Sequence, residues 1–176
     1  MDLKPTPVLK RHPTLNFNPA KLFMSLFSFF RRSDFFSEEE KQHIIASIRA
    51  TELRTSGEIR VYIESRCRFV DPLDRAAEIF WGLKMDHTED KNAVLVYIAF
   101  RDHQYAVFAD KGIHEKVGEK FWKEEVQAMY IHFRENQISD AIAQVITDVG
   151  EALHHHFPYE HDTDKNELPD DIVFGK

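Results

Sequence analysis

The sequence RTSGEIRVYIES, residues 54–65, alternates between apolar and polar side chains in the manner of a β-strand. Ser56 and Gly57 form turns readily and precede the alternating run. The strand is therefore predicted to begin at Glu58 and to end near Ser65. Its apolar face would consist of Ile59, Val61 and Ile63, and its other face of Glu58, Arg60, Tyr62 and Glu64. The first residue of this strand is thus a carboxylate whose role has to be explained.

Helical signals lie on both sides of this strand. Before it, Ser37 is a predicted N-cap, and Glu40 stands three residues later, as a capping box requires. After it, Asp71 can cap a second helix, and Pro72 suits the first helical turn. The strand is therefore predicted to lie between two helices in the chain.

Two further helices are predicted in the second half of the chain. The third follows a turn at Gly112, in the segment 110–136. Gly118 lies inside this helix and costs about 1 kcal/mol relative to Ala, so we expect a bend or break there. Ser139 is predicted to cap the fourth helix, whose apolar residues recur with helical spacing.

The remaining strands define the topology. Residues 93–100, AVLVYIAF, are apolar on both faces, which is typical of a central strand covered on two sides. Residues 105–109, YAVFA, return after a short reversal, so these two strands are predicted to form an antiparallel hairpin. A right-handed crossover would make the first two strands parallel. The sequence therefore predicts an α/β fold, a three-layer α/β/α sandwich in which a small mixed sheet has helices on both faces.

Charge divides the chain into a basic N-terminal segment and an acidic body. Residues 1–33 carry six basic residues and one acidic residue, a net charge of +5, whereas the remainder carries 17 basic and 29 acidic residues, a net charge of −12. We expect a basic extension over residues 1–33, one domain over 34–157 and a C-terminal tail over 158–176 that packs on the domain. The acidic body argues against nucleic-acid binding, which depends on Lys and Arg to neutralise phosphates.

The N-terminal extension contains an apolar run from Leu22 to Phe30, followed by Arg31 and Arg32. This run is shorter than the roughly 18–20 residues that a membrane-spanning helix needs, and it lacks the features of a signal peptide. Either it is a short helix packed on the domain or poorly ordered, or it contacts a membrane surface as an interfacial segment.

Cys67 is the single cysteine, so no intramolecular disulfide can form. A cytoplasmic location, with membrane association if the run binds lipid, is expected.

Four oxygen-bearing side chains are predicted to meet at one edge of the sheet. Parallel pairing places Glu58, Asp90 and Asn92 where the first two strands begin, and the returning strand brings Asp110 to the same edge. Like charges at close range raise one another's pKa unless a cation neutralises them. Carboxylate and amide oxygens suit a hard ion, so Ca²⁺ or Mg²⁺ is the predicted cofactor. The alternative is that these residues are solvated side chains near strand ends.

Other candidate residues carry weaker signals. Lys111 and the backbone of Gly112 follow at the start of a helix, and they are the predicted contacts for a substrate or anion. The histidines at 154–156 are consecutive, so they cannot all face one ion from a helix, and a solvent-facing helix end is expected. The chain contains no P-loop, dinucleotide-binding fingerprint or GxSxG nucleophile elbow.

Four segments in order resemble the TPM domain family: TSGEIRVYI at 55–63, NAVLVYIA at 92–99, ADKGIHEKVGEKFW at 109–122 and NELPDDI at 166–172. The resemblance covers about residues 35 to 173. It implies an α/β/α sandwich with its functional edge at Glu58, Asn92, Asp110 and Gly112. Members of the family look like divalent-cation binders or accessory domains that help to assemble or repair membrane complexes, and a plant relative has been described as an acid phosphatase.

Three functional hypotheses follow. The first is a non-enzymatic module that binds Ca²⁺ or Mg²⁺ at the acidic edge, engages a protein partner and is accessory to a membrane complex. The alternative is a metal-dependent acid phosphatase, in which Asp110 or Asp90 would act as nucleophile or base and Lys111 and the metal would stabilise the transferring phosphoryl group. The third, compatible with the first, is a peripheral membrane factor that uses Leu22–Phe30.

Overall fold

The computed structural model describes residues 35–134, 137–159 and 172–175, together with the backbone of residues 10 and 11. Within these ranges it contains four α-helices and five strands. Their bounds are β1 Lys10–Arg11, α1 Glu38–Glu52, β2 Ile59–Glu64, α2 Pro72–Gly82, β3 Val94–Ala99, β4 Gln104–Ala109, α3 Lys111–Arg134, α4 Ile138–His156 and β5 Ile172–Phe174.

The strands form one mixed sheet in the order β1-β4-β3-β2-β5. β2 and β3 are parallel, with Ile59 opposite Val94. β3 and β4 form an antiparallel hairpin, with Val94 opposite Ala109. The parallel pair joined through α2 and the antiparallel hairpin were both predicted from the sequence, and both predictions are confirmed.

The two outermost strands were not predicted. β5 lies parallel to β2, with Ile172 opposite Val61, and β1 lies antiparallel to β4. These strands contain three and two residues, respectively. Runs this short show no detectable alternation, and their pairing depends on the strands already present in the sheet.

Local sequence signals determine where α1 and α2 begin. The Ser37 hydroxyl accepts a hydrogen bond from the Glu40 amide at 3.2 Å, and the Glu40 carboxylate accepts one from the Ser37 amide at 2.7 Å. This is the predicted capping box, and a cap of this kind contributes about 1 kcal/mol. Asp71 accepts a hydrogen bond from the Leu73 amide at 3.0 Å, and Pro72 is the first residue of α2, as predicted.

The bend in α3 is as predicted, but the start of α4 is not. Gly118, with φ 76° and ψ 170°, interrupts α3. The prediction that Ser139 caps α4 is wrong, because the helix begins one residue earlier and Ser139 is buried in its first turn, 3.5 Å from Glu40 Oε1. The Gln137 amide donates to the His132 carbonyl at 3.1 Å. The backbone turn that leaves α3 therefore sets where α4 begins.

Helices cover both faces of the sheet. α1, α3 and α4 pack on one face, where Ile44, Ile113 and Ile142 are fully buried. α2 packs on the other face through Ala76 and Phe80. Isoleucine and phenylalanine side chains contribute about 1.5–3 kcal/mol each when they are fully buried. The central strand β3 contributes Val94, Val96 and Ile98 to the first core and Leu95, Tyr97 and Ala99 to the second. The predicted α/β/α sandwich is therefore confirmed.

The apolar run Leu22–Phe30 lies outside the described residues. Across the described ranges, none of the helices has both the length and the hydrophobicity needed to cross a membrane.

Near the C-terminus, Pro158 forms an isolated antiparallel bridge with Thr55, and β5 extends the sheet beside β2.

Candidate functional site

Glu58 and Asp110 belong to one row of residues across three neighbouring strands. The Glu58 carbonyl accepts a hydrogen bond from the Val94 amide at 2.8 Å, and the Asp110 amide donates to the Ala93 carbonyl at 2.9 Å. The strand registers therefore continue by one residue beyond the strand ends, and Ala93 lies between Glu58 and Asp110. Because Ala93 belongs to the core beneath α2, the alternation of side chains places both carboxylates on that face.

The Asp110 carboxylate is buried and only half satisfied. Its side chain is 3% exposed, and Oδ1 accepts a hydrogen bond from the Lys111 amide at 2.7 Å. No described residue donates a hydrogen bond to Oδ2. Burial raises the pKa of Asp110 above its ordinary value, while the Lys111 amide and the charge of Lys91 oppose the rise. A buried oxygen of this kind needs an external partner, such as a cation or a water molecule.

Asn92 supplies a second buried oxygen at the same edge. The residue is 1% exposed, and its Nδ2 donates to the Ser56 hydroxyl at 3.3 Å. Its Oδ1 has no hydrogen-bond partner among the described residues. The orientation of the amide thus leaves an acceptor unsatisfied on the loop that leads into β3.

Thr88 and His114 are two further buried polar residues, and they were not predicted from the sequence. They are 2% and 8% exposed, and neither Thr88 Oγ1 nor His114 Nδ1 has a hydrogen-bond partner in the described ranges. The His114 amide donates to the Asp110 carbonyl at 3.0 Å, which fixes this histidine in the turn after Asp110. Thr88 stands in a polar loop, where sequence alone gives no sign of burial.

Gly112 has a packing role in the structure. A Cβ atom at Gly112 would lie 2.1 Å from the Asp90 carbonyl oxygen and 2.6 Å from that of Lys91. The Ile113 amide donates to the Lys91 carbonyl at 3.3 Å. The first turn of α3 therefore lies directly against the loop before β3, and this contact requires glycine.

The side chains of the other two predicted residues, Asp90 and Lys111, are not buried. The side chain of Asp90 is exposed, so this residue meets the edge through its backbone. The Lys111 ammonium lies 3.6 Å from Glu115 on α3, and the Lys111 side chain is 41% exposed. The structure thus brings Glu58, Asn92 and Asp110 to one buried edge and leaves the Asp90 carboxylate on the surface.

No three His, Cys, Asp or Glu side chains within the described ranges are grouped so that they could hold a metal ion by themselves. An ion at this edge would therefore take part of its coordination from an amide, a hydroxyl, backbone carbonyls or water. Such mixed oxygen sets are common for Ca²⁺, and Mg²⁺ usually keeps several of its waters.

A separate polar cluster lies at the opposite end of β2. Glu64, which is 3% exposed, accepts hydrogen bonds from Arg75 Nε and Nη2 at 3.0 Å each and from the Tyr97 hydroxyl at 2.6 Å. Arg75 also donates to Glu78 at 2.8 Å. From its sequence, Glu64 was expected only to belong to the polar face of β2. The bidentate pairing satisfies the buried carboxylate and ties α2 to the sheet.

The histidines at the end of α4 do not converge. His154 Nδ1 lies 2.6 Å from the Arg54 carbonyl oxygen. The rings of His155 and His156 are 4.6 Å apart, and burial, with smaller contributions from His155 and Lys116, lowers the pKa of His156. This arrangement agrees with the expected helix end.

Comparison with known proteins identifies the family. A model of the TPM domain matches residues 30–152. The NMR structure of the BA42 protein from the psychrophilic bacterium Bizionia argentinensis is similar, with 36% identity, a TM-score of 0.74, and coverage of 81% of this chain and 97% of that chain. The N-terminal domain of the cg2496 protein from Corynebacterium glutamicum shares the fold, with 14% identity, a TM-score of 0.52, and coverage of 75% and 86%. No curated protein matches the chain. The chain therefore belongs to the TPM domain family.

Proposed function

We propose that this TPM domain is a non-enzymatic module that binds Ca²⁺ or Mg²⁺ at the edge formed by Glu58, Asn92 and Asp110. The observation that carries the proposal is the pair of buried oxygens, Asp110 Oδ2 and Asn92 Oδ1, that have no hydrogen-bond partner in the described part of the chain. Both belong to loops held in place by the strand registers, so the oxygens are positioned before an ion binds.

The chemistry of these donors favours a hard divalent cation. Glu58 and Asp110 lie on the same face with only the methyl group of Ala93 between them in the row. Two carboxylates on one buried face can both contribute oxygens to a hard cation. Thr88 Oγ1 is a further buried neutral oxygen, in the loop before β3, that has no hydrogen-bond partner among the described residues.

We propose that the cation-loaded edge is also the surface that engages a protein partner, in the role of an accessory to a membrane complex. Leu53, which follows α1 and precedes Glu58 by five residues, is 78% exposed at this end of the domain. An exposed leucine beside a polar edge is the combination found where an apolar anchor and polar contacts share one interface.

The cation proposal is tested by titrating the metal-free protein with CaCl₂ and MgCl₂ while amide NMR shifts and the melting temperature are followed. Saturable shifts centred on Asn92 and Asp110 are expected with at least one ion. Asp110→Asn keeps an acceptor for the Lys111 amide but removes the charge, so it should fold and lose the saturable response. Glu89→Gln changes an exposed acid of the same polar loop and should respond as the wild type does.

Two results would refute the proposal. One is the lack of any saturable response to either ion at millimolar concentration, and the other is an unchanged response in Asp110→Asn. The phosphatase alternative is tested on the same proteins with a generic phosphomonoester in the presence of each ion. Turnover that is lost in Asp110→Asn and retained in Glu89→Gln would favour the enzyme over the binding module.

A further inference from the structure

The loop between β2 and α2, residues 65–71, projects apolar side chains into solvent. Phe69 is 102% exposed relative to an isolated residue, and Val70 is 45% exposed. Phe69 has φ 66°, in the left-handed region, which a bulky residue rarely adopts. An aromatic side chain held outward in a disfavoured backbone conformation points to a role outside the folding of the loop.

This loop is anchored at its base. Cys67 is buried, its amide donates to Asp102 Oδ2 at 2.9 Å, and its thiol lies 3.4 Å from the Val70 carbonyl oxygen. The Arg101 amide donates to the Ser65 carbonyl at 2.9 Å. The tip formed by Phe69 and Val70 is therefore presented on a defined support.

Basic side chains flank the tip. Residues 65–71 contain two basic residues, Arg66 and Arg68, and one acidic residue, Asp71, which caps α2. Arg66 lies 3.5 Å from Asp102, which offsets part of its charge. Arg68 is exposed and makes no ion pair with any described residue. The loop has a net charge of +1 on a body whose net charge is −12 over residues 34–176, so it is a local exception to the acidic character of the body.

We propose that the tip of the 65–71 loop inserts Phe69 and Val70 into the interface of an anionic lipid bilayer, with Arg66 and Arg68 at the level of the headgroups. The combination of an aromatic side chain with flanking arginines is that of interfacial membrane binding. A specific protein interface buries about 1,000 Å² or more, whereas a protruding tip of two apolar side chains offers a small convex contact that a deformable bilayer can accept.

The experiment measures sedimentation of the full chain with phosphatidylcholine vesicles, with and without a minority of phosphatidylglycerol. We expect binding to the phosphatidylglycerol vesicles that weakens as salt is added. Phe69→Ala should bind about tenfold more weakly, the factor expected when an aromatic side chain no longer leaves water. Arg68→Glu should weaken binding in the same direction.

Matched variants separate the effect of the tip from nonspecific hydrophobic binding and from misfolding. Leu53→Ala removes an exposed apolar side chain at the opposite end of the sheet and should bind vesicles as the wild type does. Phe69→Gly suits the positive φ, so it should keep or raise the melting temperature while losing vesicle binding. Asp110→Asn should bind vesicles normally, since this proposal is independent of the cation site.

Several outcomes would overturn the proposal. One is a wild-type protein that does not bind phosphatidylglycerol vesicles. The others are equal binding to neutral vesicles and wild-type affinity in Phe69→Ala. The last result would assign any membrane binding to another part of the chain. If light scattering shows a dimer that dissociates in Phe69→Ala, and the protein does not bind vesicles, the tip is instead a contact between two copies of the chain.

Discussion

Glu58 and Asp110 lie on the same face of the sheet, on either side of Ala93, with exposed fractions of only 4% and 3%. Two strand spacings separate their backbones by about 10 Å, and the methyl group of Ala93 occupies little of the space between them. The carboxylate that precedes β2 is therefore one side of a buried acidic row whose other side arrives from the end of the hairpin.

The row predicts opposite effects of Asp110→Asn on the metal-free and cation-loaded proteins. Without an ion, the substitution removes a buried charge whose Oδ2 no described residue satisfies, so stability should rise by about 1 kcal/mol. With Ca²⁺ or Mg²⁺ at saturation, the wild type should become the more stable protein, because an ion at 100 times its Kd adds about 2.7 kcal/mol. Thermal melts with chelator and with each ion test the crossover. Parallel melting curves would contradict it.

A pH dependence of the protein's stability is expected from Glu125, which is not part of the candidate site. It is 8% exposed, and no described residue donates to its Oε2. Burial, followed by the charges of Asp148 and Glu124, raises its pKa from 4.5 to about 7. The folded state holds this proton more tightly than the unfolded state does. Stability is therefore expected to fall as the pH rises from about 4.5 to about 7 and to level off above that.

Glu125→Gln should remove this slope and stabilise the protein above neutral pH by about 2 kcal/mol. Glu115→Gln on the same helix is the matched control, since Glu115 is exposed, pairs with Lys111 at 3.6 Å and is not among the groups that raise the pKa of Glu125. Urea denaturation across this pH range gives the free energies of unfolding. A slope that survives in Glu125→Gln would assign it to another group.

The Arg75 and Glu64 pair predicts a contrast between a buried and an exposed ion pair. Arg75→Ala would leave Glu64 buried, with only the Tyr97 hydroxyl among the donors described above, and should cost about 2–4 kcal/mol. Arg54→Ala breaks an ion pair with Glu151 in which the side chains are 49% and 58% exposed, so it should change stability little. Denaturant midpoints of the two variants give the comparison, and equal losses would show that burial of Glu64 is not what matters.

Substitution of Gly112 is expected to cause a steric clash at the candidate site. Gly112→Ala would place Cβ 2.1 Å from the Asp90 carbonyl oxygen, which must displace the loop or the start of α3 and should cost about 2–3 kcal/mol. At Gly82, near the end of α2, an added Cβ meets nothing within 4 Å, so Gly82→Ala should be neutral or slightly stabilising. Melting temperatures of the two alanine variants decide this. Similar melting temperatures would show that the loop before β3 can move aside at little energetic cost.

Most of the fold follows from signals that are local in sequence. The alternation of 59–64, the fully apolar run of β3 and the capping box at Ser37 each act within one element, and their period and polarity were readable without a partner. Ser139 shows the limit of such signals. A good capping residue lies inside α4 because the turn after α3 places the helix start earlier.

The candidate site was only partly predictable. The meeting of Glu58, Asn92 and Asp110 at one edge followed from strand order, which the sequence indicated. That Asp90 would be exposed, and that Thr88 and His114 would be buried, depended on how the loop before β3 and the first turn of α3 pack together. Gly112 was expected to contact an anion, whereas the structure gives it a packing contact.

The central helices and strands could be identified from the amino-acid sequence, because hydrophobic period, capping and turn chemistry are properties of neighbouring residues. The edges of the sheet, the burial of Glu64 with Arg75 and the outward position of Phe69 became visible only in the folded chain. Each of these depends on groups far apart in the chain: two short strands that need an existing sheet, a carboxylate that needs a guanidinium from another element, and a loop whose base is bonded to the next hairpin. Such contacts form only when the chain has folded, so no local pattern records them.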